Sequence, residues 1–331
     1  MPAFMGRRKC VALLGGALAW PLAPPAQSAE RMRRIGVLIY GGEGSRGAQA
    51  QAAALREGLK ELGWVEGRNL QTDIRYESDP RRIHDLAQAL VGQDPDAIVV
   101  STNAATRALQ QQTKTIPIVF AGVGDPVASG LVASLARPDG NITGITNLFY
   151  SIGGKWLELL REAAPGVERV AIVYNPDLAT TQGWFAAIEA AAPGLGIATI
   201  KLPIRNPAEI ERAIDRFAAT PNGAVIVVPP GLVGVDREMV FRLAADHRLP
   251  AIYQARIYAV EGGLMSYGAD AADLFLQSAT YVDRILRGAR PGELPVGFPD
   301  KFDLVINLAT AKALGLTLPP TLLGRANELI E

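Results

Sequence analysis

The chain has 331 residues, with 33 basic and 33 acidic side chains, two histidines and one cysteine. A balanced charge of this kind argues against a nucleic-acid binder, which carries a basic patch on a net positive domain. A single cysteine excludes a disulfide framework, so stability must come from packing alone.

The chain opens with Arg7-Arg8-Lys9 and an apolar run over residues 10–22. The run is too short to span a bilayer and ends in proline and small residues, the order of an export signal. Ala26-Gln27-Ser28 predicts cleavage after Ser28, leaving about 300 residues, enough for two lobes of roughly 150. The paired arginines also permit the twin-arginine route, although Lys9-Cys10-Val11 departs from its usual hydrophobic pair. Residues 1–28 hold three of the 33 basic residues and none of the acidic ones, so the remainder is mildly acidic. Cys10 opens the apolar run and does not follow it, so a lipid anchor at the cleavage point is not expected, and the mature chain should be free in the periplasm.

Strands and helices then alternate as in doubly wound α/β folds. Residues 35–40 predict a strand, 48–62 an amphipathic helix, 70–76 a strand, 83–91 a helix, 97–101 a strand, 104–112 a helix and 116–120 a strand. A second strand lies in ITGITN, ending at Asn147. The pattern restarts with strands at 170–174, 197–202, 224–228 and 251–253, separated by helices near 181–191, 207–218 and 236–246. The tail predicts a strand at 262–268, a helix at 271–286 and a strand at 301–306. Two tandem βα repeats imply two Rossmann-like lobes.

Ligands of open α/β sheets sit beyond the carboxyl ends of the strands, where helix N-termini aim N–H groups outward. In the first lobe this selects Gly41–Ser45, then Ser101-Thr102-Asn103, then Gly122–Asp125. In the second it selects Tyr174-Asn175 with Thr180-Thr181, the segment around Pro230, and Tyr253-Gln254. Ser101, Thr102 and Asn103 either cap a helix or leave donors for a carboxylate. Asn147 either bonds a ligand or ends a turn, and Asp125 before Pro126 fits a turn as well as an ion pair. Tyr40, Tyr174, Tyr253 and Tyr267 can wall a planar ligand or pack in the core.

Gly42-Glu43-Gly44-Ser45-Arg46-Gly47 fits the dinucleotide pattern G-x-G-x-x-G between a strand and a helix. The matching acid would be Glu77, about 30 residues on where roughly 20 is usual, so an exported nicotinamide-dependent oxidoreductase stays open as an alternative. Otherwise His84 and His247 lie on charged helical stretches, no histidine or carboxylate group has metal-ligand spacing, and no G-x-S-x-G turn is present. Neither a catalytic residue, a metal nor a cofactor is expected.

GVGDPVASGLVASLARPDGNITG (122–144), LREGLKELGWVEGRN (55–69), HRLPAIY (247–253), GGLMSYG (262–268) and INLATAKALGLTLPP (306–320), in this order, resemble the solute-binding proteins of ABC transporters. The branch includes aromatic-amino-acid receptors, and the resemblance runs from about Arg34 to Glu331. It implies a periplasmic binding protein-like fold of type I, two lobes joined by a three-segment hinge that ligand closes. The expected lobes are 29–148 plus 263–290 and 149–262 plus 291–331. The implied partners are a small, aromatic or carboxylate-bearing molecule and an ABC permease, with the chain monomeric and no nucleic acid bound. A ligand-sensing module for a membrane receptor would use the same fold. Aromatic-amino-acid receptors of the branch carry an acidic or amide-rich segment where this chain reads Val228-Pro229-Pro230-Gly231. Tyr174-Asn175-Pro176-Asp177 is likewise less acidic, so an uncharged or anionic aromatic compound stands beside an amino acid as the expected ligand.

Overall fold

A computed structural model describes residues 31–147, 149–177, 181–229 and 237–331, so the expected export signal lies outside the described residues. The first sheet is built from β1 (Arg33–Tyr40), β2 (Leu70–Glu77), β3 (Ala97–Val100), β4 (Ile118–Val123) and β5 (Ile142–Thr146), interleaved with α1 (Arg46–Glu61), α2 (Ile83–Val91) and α3 (Asn103–Gln112). Its strand order is β2-β1-β3-β4-β5, with every pair parallel. Parallel strands covered on both faces must be apolar on both faces, and β1 is. Ile35, Val37 and Ile39 pack with α1, while Leu38 packs between α2 and α3.

The second sheet follows α4 (Ile152–Ala163). It contains β6 (Arg169–Tyr174), β7 (Ala198–Pro203), β8 (Gly223–Val227), β9 (Ala251–Tyr253) and β10 (Met265–Ala269), with α5 (Thr181–Ala191), α6 (Pro207–Ala218), α7 (Arg237–Asp246) and α8 (Arg256–Val260) between them. The chain continues through α9 (Ala271–Leu286), β11 (Phe302–Asn307), α10 (Leu308–Ala313), α11 (Pro320–Leu323) and β12 (Glu328–Ile330). The order is β12-β11-β10-β9-β8-β6-β7, and the β10–β11 pair is antiparallel. Helices α4 and α5 cover one face with the C-terminal tail, and α6 and α7 cover the other.

The pairing moves both expected lobe boundaries. Met265–Ala269 joins the second sheet through β9 and β11, although 263–290 was expected in the first lobe. Residues 294–297, expected in the second, lie against the first: the Thr143 hydroxyl donates to the Leu294 carbonyl at 2.7 Å and Gly297 N–H donates to Gly144 O at 2.9 Å. Helix α9 packs its Leu274, Phe275, Ala279 and Val282 against α1 and the first sheet. The chain therefore crosses between sheets three times, just after Thr146, at Asp270 and over residues 298–301.

Helix α4 has no counterpart among the expected elements, and it carries Gly153-Gly154 in its first turn, where glycine disfavours a helix. The glycine is there for contact, since a Cβ at Gly153 would lie 2.8 Å from Ile188 Cγ1. That approach lets Trp156 stack on Trp184 with centroids 4.8 Å apart, both fully buried. Such a pair adds about 0.5–1.5 kcal/mol beyond its area burial.

Candidate ligand-binding site

In the first sheet the strand order reverses between β1 and β3, the switch point where open α/β sheets place ligands. A cavity of about 190 Å³ opens there. Tyr40 ends β1, Ser101 and Thr102 follow β3, Ala121 and Gly122 come from β4 and Asn147 follows β5. Gln254 and Ala255 follow β9, Ala269 and Ala271 flank the second crossing, and Gln51, Leu274 and Phe275 come from α1 and α9. The β4–β5 register shifts between Ala121 and Val123, and Gly122 takes φ +87°. A bulge of this kind re-aims the strand end toward the cleft.

Thr102 has φ 70° and ψ 147°, a backbone region that β-branched residues rarely enter. Its hydroxyl accepts from Ala105 N–H at 3.3 Å and its carbonyl accepts from Thr106, so it caps α3. The Ser101 hydroxyl accepts from Tyr40 N–H at 2.8 Å, tying the ends of β1 and β3 together. Tyr40 remains 52% exposed, with its ring open to the cleft side. The Gln254 side chain donates to Asn147 O at 3.4 Å, reaching from the second sheet to the first. Acidic and basic side chains are absent from the lining among the described residues.

The structure thus brings Tyr40, Ser101, Thr102, Gly122, Asn147 and Gln254 together on one lining, and the other expected residues it describes lie off that lining. The Asn103 amide donates to Gly124 O at 2.8 Å and to Ser129 Oγ at 2.7 Å, while its oxygen accepts from Gly124 N–H, so it fastens α3 to the loop after β4. Asp125 accepts from Ala128 N–H and from the Tyr150 hydroxyl. Ser45 is exposed and its side chain makes no cap bond to α1. Tyr174 packs edge-on against Phe185 at 4.7 Å. Asn175 accepts from Asp177 N–H in a local turn, and the Asp177 carboxylate pairs with Arg205 at 3.3 Å. Thr181 is buried at the start of α5. Tyr253, expected as a wall, is a core residue stacked on Tyr258 at 5.4 Å, and burial holds its phenol well above the usual range. Tyr267 stacks on Phe302 at 5.9 Å, outside the cavity. Pro230 and Thr180 lie outside the described residues.

Gln51, Leu274, Phe275 and Ala271 were missed. Gln51 sits one residue before buried Ala52 on α1, so a half-buried amide beside the apolar stripe was the available signal.

In the dinucleotide pattern the third glycine serves close helix–strand packing, and a Cβ at Gly47 would meet only Ser45 Oγ at 3.9 Å, so no such packing calls for a glycine there. Glu77 accepts from the N–H groups of Ser78 and Asp79 and pairs with Arg82 at 3.3 Å. His84 is exposed, and His247 lies 2.8 Å from Asp215.

The family model described as "ABC transporter substrate binding protein" matches residues 44–330. The chain belongs to this family. A tyrosine-binding protein of Clostridioides difficile is 26% identical over 260 residues, covering 78% of this chain and 74% of the relative. A conserved domain protein from Vibrio cholerae O1 biovar El Tor superposes with a TM-score of 0.74 at 30% identity, covering 90% of this chain and 100% of that one. An ABC domain from Streptococcus pneumonia, solved in complex with L-Trp, gives a TM-score of 0.74 at 24% identity over 90% of this chain and all of its own. As an ABC substrate-binding protein, the chain captures a small solute for an importer. No described helix is long and apolar enough to cross a membrane.

Proposed function

We propose that this ABC substrate-binding protein captures a small aromatic solute in the cavity at the β1–β3 switch point, closes its lobes over it and presents it to the permease. The supporting observation is the lining itself, because Thr102 and Asn147 come from the first lobe and Gln254 from the second. A solute touching both favours the closed arrangement by its differential contact. Tyr40 offers ring surface. Thr102 and the start of α3 offer donors for a carbonyl or carboxylate oxygen, since the first N–H groups of a helix lack intrahelical partners. The aromatic character follows the relatives named for tyrosine and L-Trp. Binding is the whole chemistry of this reading, with no reaction at the site. The protein acts as a monomer in the periplasm, exported by the signal over residues 1–28 and cut after Ser28. Small-angle scattering tests the closure. The radius of gyration should fall when the solute released from the purified protein is added back at saturation, and unchanged dimensions overturn the reading.

A further inference from the structure

The buried oxygen Oε1 of Gln51 has no hydrogen-bond partner. Gln51 is one of the residues lining the cavity, together with Asn147 and Gln254. A buried polar atom without a partner is rare enough in native structures to require an explanation. Either end of the amide would be orphaned at that position, since nitrogen there would lack an acceptor just as oxygen lacks a donor. A ligand that supplies the missing partner explains the orphan.

We infer that the cavity takes a single-ring solute bearing a neutral amide-type group, with Gln51 the residue that selects it against amino acids. This rests on the cavity being the binding site. A –CO–NH– unit offers one donor and one acceptor side by side, and it therefore satisfies a glutamine carboxamide in either orientation. A single ring suits the size, since a cavity of about 150 Å³ holds benzene and this cleft measures about 190 Å³. An ammonium group, by contrast, finds no carboxylate on the described lining. Asp125 is taken up by Tyr150 and Ala128, and Asp177 by Arg205. A site built to hydrogen-bond one group rejects analogues lacking it far more strongly than an apolar pocket does.

Calorimetry on the full chain tests the inference with benzamide, nicotinamide and uracil against benzoate, L-tyrosine and L-tryptophan. At least one neutral amide should bind, at least tenfold more tightly than benzoate or either amino acid. Gln51→Leu should weaken that amide tenfold or more while the ligand-free melting temperature stays level or rises, because the orphaned atom is removed. Ala271→Trp, at an exposed position on the lining, should abolish binding. Tighter binding of an amino acid or benzoate, no binding of any amide, an unchanged affinity in Gln51→Leu, or a joint fall of affinity and melting temperature each overturns the inference. The cavity reading is separable by the blocking variant. An amino acid that binds the parent but not Ala271→Trp sinks the amide class alone, whereas a probe binding both equally sinks the cavity as the site.

Discussion

The Tyr150 hydroxyl donates to Asp125 Oδ2 across 3.3 Å, joining the chain just before α4 to the loop after β4. Tyr150 packs edge-on against Trp184 of the second lobe, and Asp125 belongs to the first, so the bond links the two near the first crossing. Burial first, and then the Asp125 charge, push the Tyr150 phenol up to about 12. A phenol whose folded value is raised contributes stability below its ordinary value of about 10, and that contribution is lost as the pH climbs from about 10 to about 12. Tyr150→Phe should cost about 1.5 kcal/mol at neutral pH, the lower end for a hydrogen bond to a charged group. The variant should also lose less stability than the parent over that alkaline window. Thermal unfolding at a series of pH values checks this, and parallel slopes would remove Tyr150 from the account.

Thr102 combines backbone strain of about 1–3 kcal/mol with a helix cap of about 1 kcal/mol. Thr102→Gly relieves the strain and loses only a few tenths of the cap, so it should leave stability level or raise it by about 1 kcal/mol. Thr102→Val keeps the strained branch without the cap and should lower stability by about 1 kcal/mol. Both should weaken the solute about tenfold by removing a hydroxyl. Calorimetry and melting curves on the pair separate the effects, and a large stability loss in the glycine variant would contradict the strain.

Asp303 Oδ1 is buried without a partner. Burial first, and then the Asp270 charge, raise its carboxyl above the ordinary range, with Lys301 opposing. The raised value means that this group favours the native state when protonated and that the benefit is lost as pH rises through its folded pKa. Asp303→Asn should therefore melt higher than the parent at neutral pH, with the gap closing below about pH 4, where the carboxyl is protonated in both folded and unfolded chains. A variant less stable than the parent at pH 7 would show that Lys301 more than offsets the desolvation.

Local pattern carried much of the fold. The helices expected at 207–218 and 271–286 are α6 and α9, and the structure adds their caps, Asn206 and Asp270. The glycine pair of α4 is explained only by the neighbouring α5, a contact between distant residues. The sheet that takes Met265–Ala269 is likewise decided by pairing with β9 and β11. The strand-end rule selected Ser101, Thr102, Gly122 and Gln254, which line the cavity because β3, β4 and β9 end beside it. It failed for Tyr253, where β9 is buried along its whole length and carries the ring into the core. It could not reach Gln51, since a polar residue on an amphipathic helix looks solvated until α9 packs alongside.

The central claim is that one solute bridges the two lobes at the β1–β3 switch point. A crystal structure of the protein with the solute released from its own purified preparation tests this most directly. The solute should lie in contact with Thr102 and Gln51 on one side and Gln254 on the other. A solute bound away from these residues, or held by one lobe alone in a closed molecule, would contradict the account.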